Sequence, residues 1–599
     1  MDLRRSLVPL AAIFLVVASG CGTGPAQKSG GTFTTIYGSH PINAGLPINI
    51  YNSQGGNAYE GYNQLQLGYA AFDSTDPNKM QPGLAQKWQL SSDGSKLTVS
   101  LQSNAKWSDG KPVTAKDVRT SFALSFAYGN VQSYFLDQVN PVGDKQVEFT
   151  KLSGAQSPNF VRGMLVQDVV PDEAWGSQLP QNIWETIHAS QYSGSDATQK
   201  AAATQASADL TKLSKQLNNF GPSPDISAGP YVLKNLNAGE AVLEKNPYFF
   251  AADQVHPSKL VLLNYTGNQQ IWNYLEAGRL DAAPYTAMPT NVLNQILKTK
   301  GNKKVTSKSQ VAASLAFNQS IYPYGLLSVR QAIAYALDRS AIQKVGEPVS
   351  GIVDTSPDGM VEADDKAFLN SSTLGQLEHY DHNVDKATQL LQSAGFSKQG
   401  GKWTLPNGQP WTLTLWAVTG FSDWIEAASL IASQLSDFGI PTTTQNATDY
   451  AAFQNDQKGG KYALSFYLDA LSRAGISAAY QRIYGAADGY VAAGSQLTHT
   501  TKNDFFNAPE TVDLPGLGAV NPGELTFQLS QTSDVAQQKA IVSKLALAVN
   551  RNLPVIELWD YINVQFVNTT KWTNFPNTDA LLNNPPGVWM FNGYVQPAG

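Results

Sequence analysis

Leu84–Val118 reads LAQKWQLSSDGSKLTVSLQSNAKWSDGKPVTAKDV. Its first half carries apolar–polar alternation on both sides of Asp93-Gly94, which predicts two antiparallel strands joined by a two-residue turn. Its second half, Ala105–Val118, crowds Asp, Lys, Ser and Thr into one short loop, the look of a catalytic or metal-binding segment. Local chemistry explains each of those residues differently. Ser108-Asp109-Gly110 is a turn, and Pro112, having no N–H for a ladder, closes the strand. Thr114 followed by Asp117 and the apolar run VRTSFALSFAY reads as a helix start of capping-box type, with Asp where Glu or Gln is usual. The stretch predicts sheet, turn and helix rather than a site.

The same mixture continues in both directions. Gly30–Gly38, GGTFTTIYG, alternates like an opening strand. Residues 194–219 are rich in Ala, Gln, Ser and Lys, with Leu210, Leu213 and Leu217 on one face, so a polar surface helix with a thin contact stripe is expected. In SVRQAIAYALDR, Val329, Ala332, Ile333, Ala336 and Leu337 share a face, and Arg330 is expected off it in a surface pair. Asn383 and Gly395 bound a further helix. Trp424, Ala428, Ile431, Leu435 and Phe438 mark another, which Gly439 stops. GKWTLPNGQPWTLTLW, between them, predicts a strand pair around Asn407-Gly408. Strands and helices interleave without strict alternation, which points to an α/β or α+β protein with mixed sheets, and α/β is the class expected.

Composition narrows the function. The 599 residues are 42% hydrophobic and only 15% charged, enough for a large core and for two to four structural units. The net charge of -6 comes with no basic stripe, so nucleic acid is not an expected partner. Arg4 and Arg5 precede the short apolar run Leu7–Val17, which reads as a signal peptide over 1–20. Cys21, the sole cysteine, follows small residues as in a bacterial lipobox, and a lipid on its thiol would anchor the chain through a Gly/Ser/Pro tether at 21–30. A single cysteine also excludes any disulfide within the chain.

Catalytic signatures are missing: the sequence has no G-x-S-x-G elbow, P-loop, H-E-x-x-H or dinucleotide fingerprint. His379 and His382, with Glu378 and Asp381, are a possible metal set, but a solvated loop before a helix explains them as well. No cofactor is expected.

Leu84–Val118 resembles the N-terminal signature of the extracellular solute-binding proteins of family 5, the oligopeptide, dipeptide and nickel receptors of ATP-binding-cassette importers. The likeness continues at SAGPYVLKNLNAGEAVLEKNPYFF, YLEAGRLDAAPY, LAFNQSIYPYGLLSVRQAIAYALDR, YDHNVDKATQLLQSAGF and IASQLSDFGIPTT, in the family's order, from Gly31 to about Ile556. It implies a two-lobed periplasmic-binding-protein-like fold (type II, cluster C-like) with a hinge. Lobe I would cover 31–300, with a satellite subdomain at 61–219, lobe II 301–544, and 545–599 would return to lobe I. It also implies a monomeric, lipid-anchored, extracytoplasmic receptor, not an enzyme, that delivers a small solute to the transmembrane subunits of a permease.

The ligand class is less clearly written. Where peptide receptors of the family carry an acid for the peptide's α-amino group, this chain has KYALSFYLDALSRAGISAAY: Ala463 replaces the first Asp of the pattern, and Ser472 and Arg473 replace its Asp-Tyr pair. Asp469 is the remaining acid in that strand. The Trp- and Asn-rich end, from Glu557 to Trp589, faintly resembles the family's oligosaccharide branch. Trp403, Trp411, Trp416 and Trp424 are rings that could stack on sugar, or pack the core. Asn318, Tyr322, Trp416, Trp424, Tyr467, Asp469 and Arg473 are the candidate ligand contacts. Peptide is the leading ligand, an oligosaccharide of cello- or xylo- type the alternative, and an anchored hydrolase the alternative of another class.

Overall fold

The computed structural model of the chain describes residues 30–36, 47–51, 61–71, 79–129, 136–153, 157, 159–192, 195–283, 286–307, 311–469, 476–484, 506–576, 584 and 586–599. The expected signal peptide, Cys21 and most of the tether lie outside them, as does Arg473.

The strands Ala85–Leu90 and Lys96–Leu101 pair antiparallel and extend through Gln146–Lys151 to Leu136–Pro141, forming a four-stranded sheet. Their connection is longer than the two-residue turn expected: Ser91 N–H donates to Lys96 O at 2.8 Å and Gly94 N–H to Ser91 O at 2.9 Å. Asp109-Gly110 does turn the chain, with Gly110 N–H on Trp107 O at 2.9 Å, and Pro112 sits in a lone bridge opposite Lys106. The helix Ala115–Ala127 then starts at Thr114, whose N–H and hydroxyl both donate to Asp117 Oδ2, at 2.6 and 3.1 Å. Asp117 does more than cap. It also accepts from Trp107 Nε1 at 3.3 Å and from Asp172 N–H at 2.7 Å, so one buried carboxylate ties the turn, this helix and the short helix Asp172–Trp175.

The polar helix Ala197–Leu217 is capped by Asp196 and buries Ala203, Ala206, Leu210, Leu213 and Leu217. A second four-stranded sheet runs Thr32–Ile36, Lys259–Leu263, Glu240–Lys245, Tyr231–Leu236, its first pair parallel and the others antiparallel. One apolar core joins both four-stranded sheets, with Phe33, Val99, Phe122, Leu260 and Trp589 among its members.

A separate core surrounds a central six-stranded sheet. Its order is Gly351–Ile352, Val555–Tyr561, Ala312–Phe317, Leu464–Asp469, Leu413–Val418, Thr442–Ala447. Leu413–Val418 is parallel to both neighbours and Ala312–Phe317 antiparallel to both of its own, so the sheet is mixed. The pair expected around Asn407-Gly408 does not form as drawn. Lys402–Thr404 pairs instead with Ser397–Gln399, only a lone Thr404–Pro410 bridge spans Asn407-Gly408, and the following segment joins the central sheet. The helix Ser422–Phe438 ends where Gly439 takes φ +105°, a left-handed conformation that costs glycine little.

Arg330 corrects another expectation. It is 1% exposed on the helix Leu327–Ala336, not in a surface pair. Its guanidinium donates to Asn552 O at 3.0 and 2.8 Å, to Asn552 Oδ1 at 2.9 Å and to Tyr324 O at 2.7 Å. It caps the end of the long helix Val535–Asn552, whose last carbonyls have no partner within the helix.

Asn563–Asn568 lies between Ala282–Ala283 and Asn302–Ser307 in a three-stranded sheet over a small core that includes Ile36, Leu263 and Trp272. Two stretches of chain therefore pass between the bodies: from Asn302–Ser307 to Ala312–Phe317, and from Val555–Tyr561 to Asn563–Asn568. The first passage follows Ser307 and the second follows Tyr561.

Candidate ligand cleft

Leu413–Val418, Thr442–Ala447 and Leu464–Asp469 run parallel, so Val418, Ala447 and Asp469 end on one edge of the central sheet. Ala312, which opens its strand, stands opposite Asp469 on one side and Asp560 on the other. The passages to the other body leave from this same edge. Space outside the carboxyl ends of parallel strands is where open α/β sheets receive ligands, since backbone groups are free there and loops can vary.

The candidate residues separate along the sheet. Tyr467 and the backbone of Asp469 lie toward the edge that faces the second body. Asn318 lies at the opposite end of its strand, six residues from Ala312, or about 20 Å at ~3.3 Å per residue. It is buried in a turn: its Nδ2 donates to Gly460 O at 3.3 Å, and its Oδ1 accepts from Ser320 N–H, Ser320 Oγ and Asn507 Nδ2 at 3.1, 2.6 and 3.1 Å. Tyr322, 55% exposed, lies near that far end. The ring of Tyr467 packs edge-on against Phe506 at 5.0 Å, and Phe506 O accepts Gln319 N–H at 3.0 Å, so Tyr467 reaches toward the Asn318 turn, while the backbone of Asp469 lies at the opposite end of the strand pair.

The tryptophans are largely committed to packing. Trp403 and Trp411 are buried, their indole N–H groups on Phe438 O at 3.1 Å and Tyr324 Oη at 3.4 Å. Trp424 is buried, stacked on Phe466 at 5.1 Å, and donates to Tyr561 Oη at 3.0 Å. Trp416 is half-buried; Tyr462 stacks on it at 4.7 Å and Lys461 Nζ lies 5.9 Å from its ring centre. From there stacking continues through Phe453, Tyr450 and Phe421, so these rings serve one another. Tyr467 is held by Arg482, whose Nε donates to its hydroxyl at 3.1 Å and whose guanidinium lies 4.6 Å over its ring.

Carboxyl groups gather behind the cleft edge. Tyr561 Oη donates to Asp423 Oδ2 at 2.6 Å, and Glu347 Oε1 accepts Ser350 N–H at 3.1 Å. Burial, with the charge of Asp423 second, pushes the Glu347 carboxyl up to about 8. Asp423 is raised by burial in turn. Nearby, Glu557 receives the N–H groups of Asp358 and Gly359 at 2.7 and 2.9 Å, and Asp560 that of Glu362 at 2.9 Å. Burial raises Asp354, Asp358, Asp365 and Asp560 as well. Arg339, among them, spends its donors on backbone carbonyls of Asp354, Thr355, His379 and Glu557.

None of these acids stands out in the sequence. Asp423 reads as an ordinary acid in a first helical turn, and Glu347 as a loop residue; only packing buries them. His379 Nδ1 is engaged with Ser356 Oγ at 2.8 Å and Thr355 O at 3.2 Å. Among the described residues, no three His, Cys, Asp or Glu side chains form a metal-ligand set. Nor is any helix among them long and apolar enough to cross a membrane.

Two bodies of mixed sheet are joined by two passages at the edge where the parallel strands of the larger sheet end. The chain belongs to the bacterial extracellular solute-binding proteins, family 5, whose model matches residues 79–490. It is 25% identical over 356 residues to the oligopeptide-binding protein OppA of Bacillus subtilis, covering 57% of this chain and 61% of that one. The chain thus spans about three fifths of that relative's length. Among solved structures, it resembles a mannohexaose-bound periplasmic oligopeptide-binding protein of Thermotoga maritima, with TM-score 0.69 and 18% identity over 95% of this chain and 99% of that one. It likewise resembles AppA of Bacillus subtilis in complex with a nonapeptide, with TM-score 0.69 and 16% identity over 96% and 100%. The fold is the two-lobed one of periplasmic binding proteins.

Proposed function

We propose that the chain is the solute receptor of an ATP-binding-cassette importer, which takes a short peptide between its lobes and presents it to the permease. The observation that carries the reading is the shared edge: the carboxyl ends of three parallel strands and both inter-body passages lie together. A solute there touches both bodies, and its binding energy favours their closed arrangement. No covalent step is required of the protein. Peptide is favoured because the relatives matched along the sequence are named for oligopeptides. In this reading lobe I is 31–307 with 563–599, lobe II is 312–561, and Cys21 carries the lipid that holds a monomeric, extracytoplasmic receptor on the cytoplasmic membrane.

An oligosaccharide is the second reading, favoured by the mannohexaose complex of the Thermotoga maritima protein. Against it, Trp416 and Trp424 are stacked on neighbouring rings. Melting curves with pools of tri- to nonapeptides, and separately with mannohexaose and cello-oligosaccharides, test both. Ligand that binds only the folded form raises the melting point by mass action. A rise with peptides alone supports the proposal; a rise with sugars alone replaces it; product formation from any pool would mark a hydrolase.

A further inference from the structure

Gly267 and Gly420 meet backbone to backbone where the two bodies face each other. A Cβ on Gly267 would stand 2.9 Å from Gly420 Cα, and one on Gly420 would stand 2.7 Å from Thr266 O. Asn268 closes the contact from its own side: its N–H donates to Gly420 O at 3.3 Å and its Nδ2 to Ser422 Oγ at 3.0 Å. Gly267 has φ 174°, extended backbone open to any residue, so lack of space and not conformation calls for glycine there.

Both partners are braced within their own bodies. Thr266 N–H donates to Gln270 Oε1 at 3.0 Å, and Gln270 Nε2 to Tyr274 Oη at 2.6 Å. Across the gap, Thr419 N–H donates to Ala447 O at 3.0 Å and Phe421 N–H to Val418 O at 3.2 Å. Nearby, Val349 of the larger body packs against the small core that contains Tyr265 and Trp272. The contact therefore joins two rigid edges without a covalent link. It is free to form and break as one body turns against the other.

We propose that the Gly267–Gly420 apposition, clasped by Asn268, is the latch that holds the two bodies closed. This rests on the receptor reading above. Two bare backbones approach without large side chains to desolvate or order, so a single methyl group is enough to hold them apart.

The test uses the full chain with Gly267→Ala, and Gln269→Ala, an exposed change on the same helix, as control. Small-angle scattering, dissociation of a labelled hexa- to nonapeptide pool, and melting temperature are measured for each. The expected result for Gly267→Ala is a larger radius of gyration and dissociation about tenfold faster. Its melting temperature without peptide stays within about 2 °C of the parent, and Gln269→Ala matches the parent throughout. Unchanged scattering and dissociation would overturn the latch. So would a fall in peptide-free melting temperature with unchanged dissociation, the mark of a fixed structural contact. If the parent does not bind the peptide pool, the peptide reading fails by itself. The peptide-free scattering then decides the latch: expansion in Gly267→Ala supports it, and identical curves overturn it.

Discussion

Arg330 and Asn552, 222 residues apart, are joined by three hydrogen bonds between a buried guanidinium and the end of a helix. Burial lowers the guanidinium to about 10, with Tyr484 and Tyr380 acting in the opposite direction, so it stays charged at neutral pH. Its fork fits the carbonyl pair of Asn552 in a way that one ammonium does not. Arg330→Lys should cost about 2–4 kcal/mol, since it strands buried acceptors, and urea unfolding should show it as a lower midpoint with an unchanged slope.

Thr114→Ala should cost about 1 kcal/mol, the usual value of an N-cap side chain. Asp117→Ala should cost more, because Asp117 also receives Trp107 Nε1 and Asp172 N–H. Both variants should bind peptide as the parent does. A Thr114→Ala protein that kept its melting point but lost ligand would show that the signature stretch touches the ligand.

The buried carboxyls predict an acid-side stability optimum. Glu347 and Asp365 are each pushed up to about 8, chiefly by burial, and Asp560 is raised too. Asp358, Asp365 and Asp560 each keep one buried oxygen without a donor, which is where a retained proton fits. Because the folded values lie above the unfolded ones, the native state holds more protons. That stability is fully present below the ordinary carboxylate range and is lost as pH rises through the folded values. Melting temperature should fall between pH 6 and pH 9, and Glu347→Gln should flatten part of the fall. A flat profile in the parent would show these acids to be ionised at neutral pH.

Trp424→Phe removes the indole N–H that reaches Tyr561 Oη and keeps a ring against Phe466. The expected effect is a loss of about 1 kcal/mol with unchanged ligand affinity. A large loss of affinity at full stability would return Trp424 to the ligand.

Much of the local structure is legible in the chain. The helix starts at Thr114 and Asn383 and the stop at Gly439 follow from residues within one turn of each boundary. The turn at Asp93-Gly94 and the pair at Asn407-Gly408 were less legible. Turn residues announce a reversal, but the strand that answers it is chosen by distant partners. The sequence by itself determined the mixed α/β class, the order of its elements and the family, because periodicity, caps and glycine positions are properties of neighbouring residues. Tertiary structure alone decided which body each segment joins, that Arg330 and the carboxyls of Glu347 and Asp423 are buried, and that Asn318 lies away from the cleft edge. It alone brought Gly267 against Gly420. Each of these depends on contacts between residues far apart in the chain, where burial and not residue type sets a side chain's charge and its role.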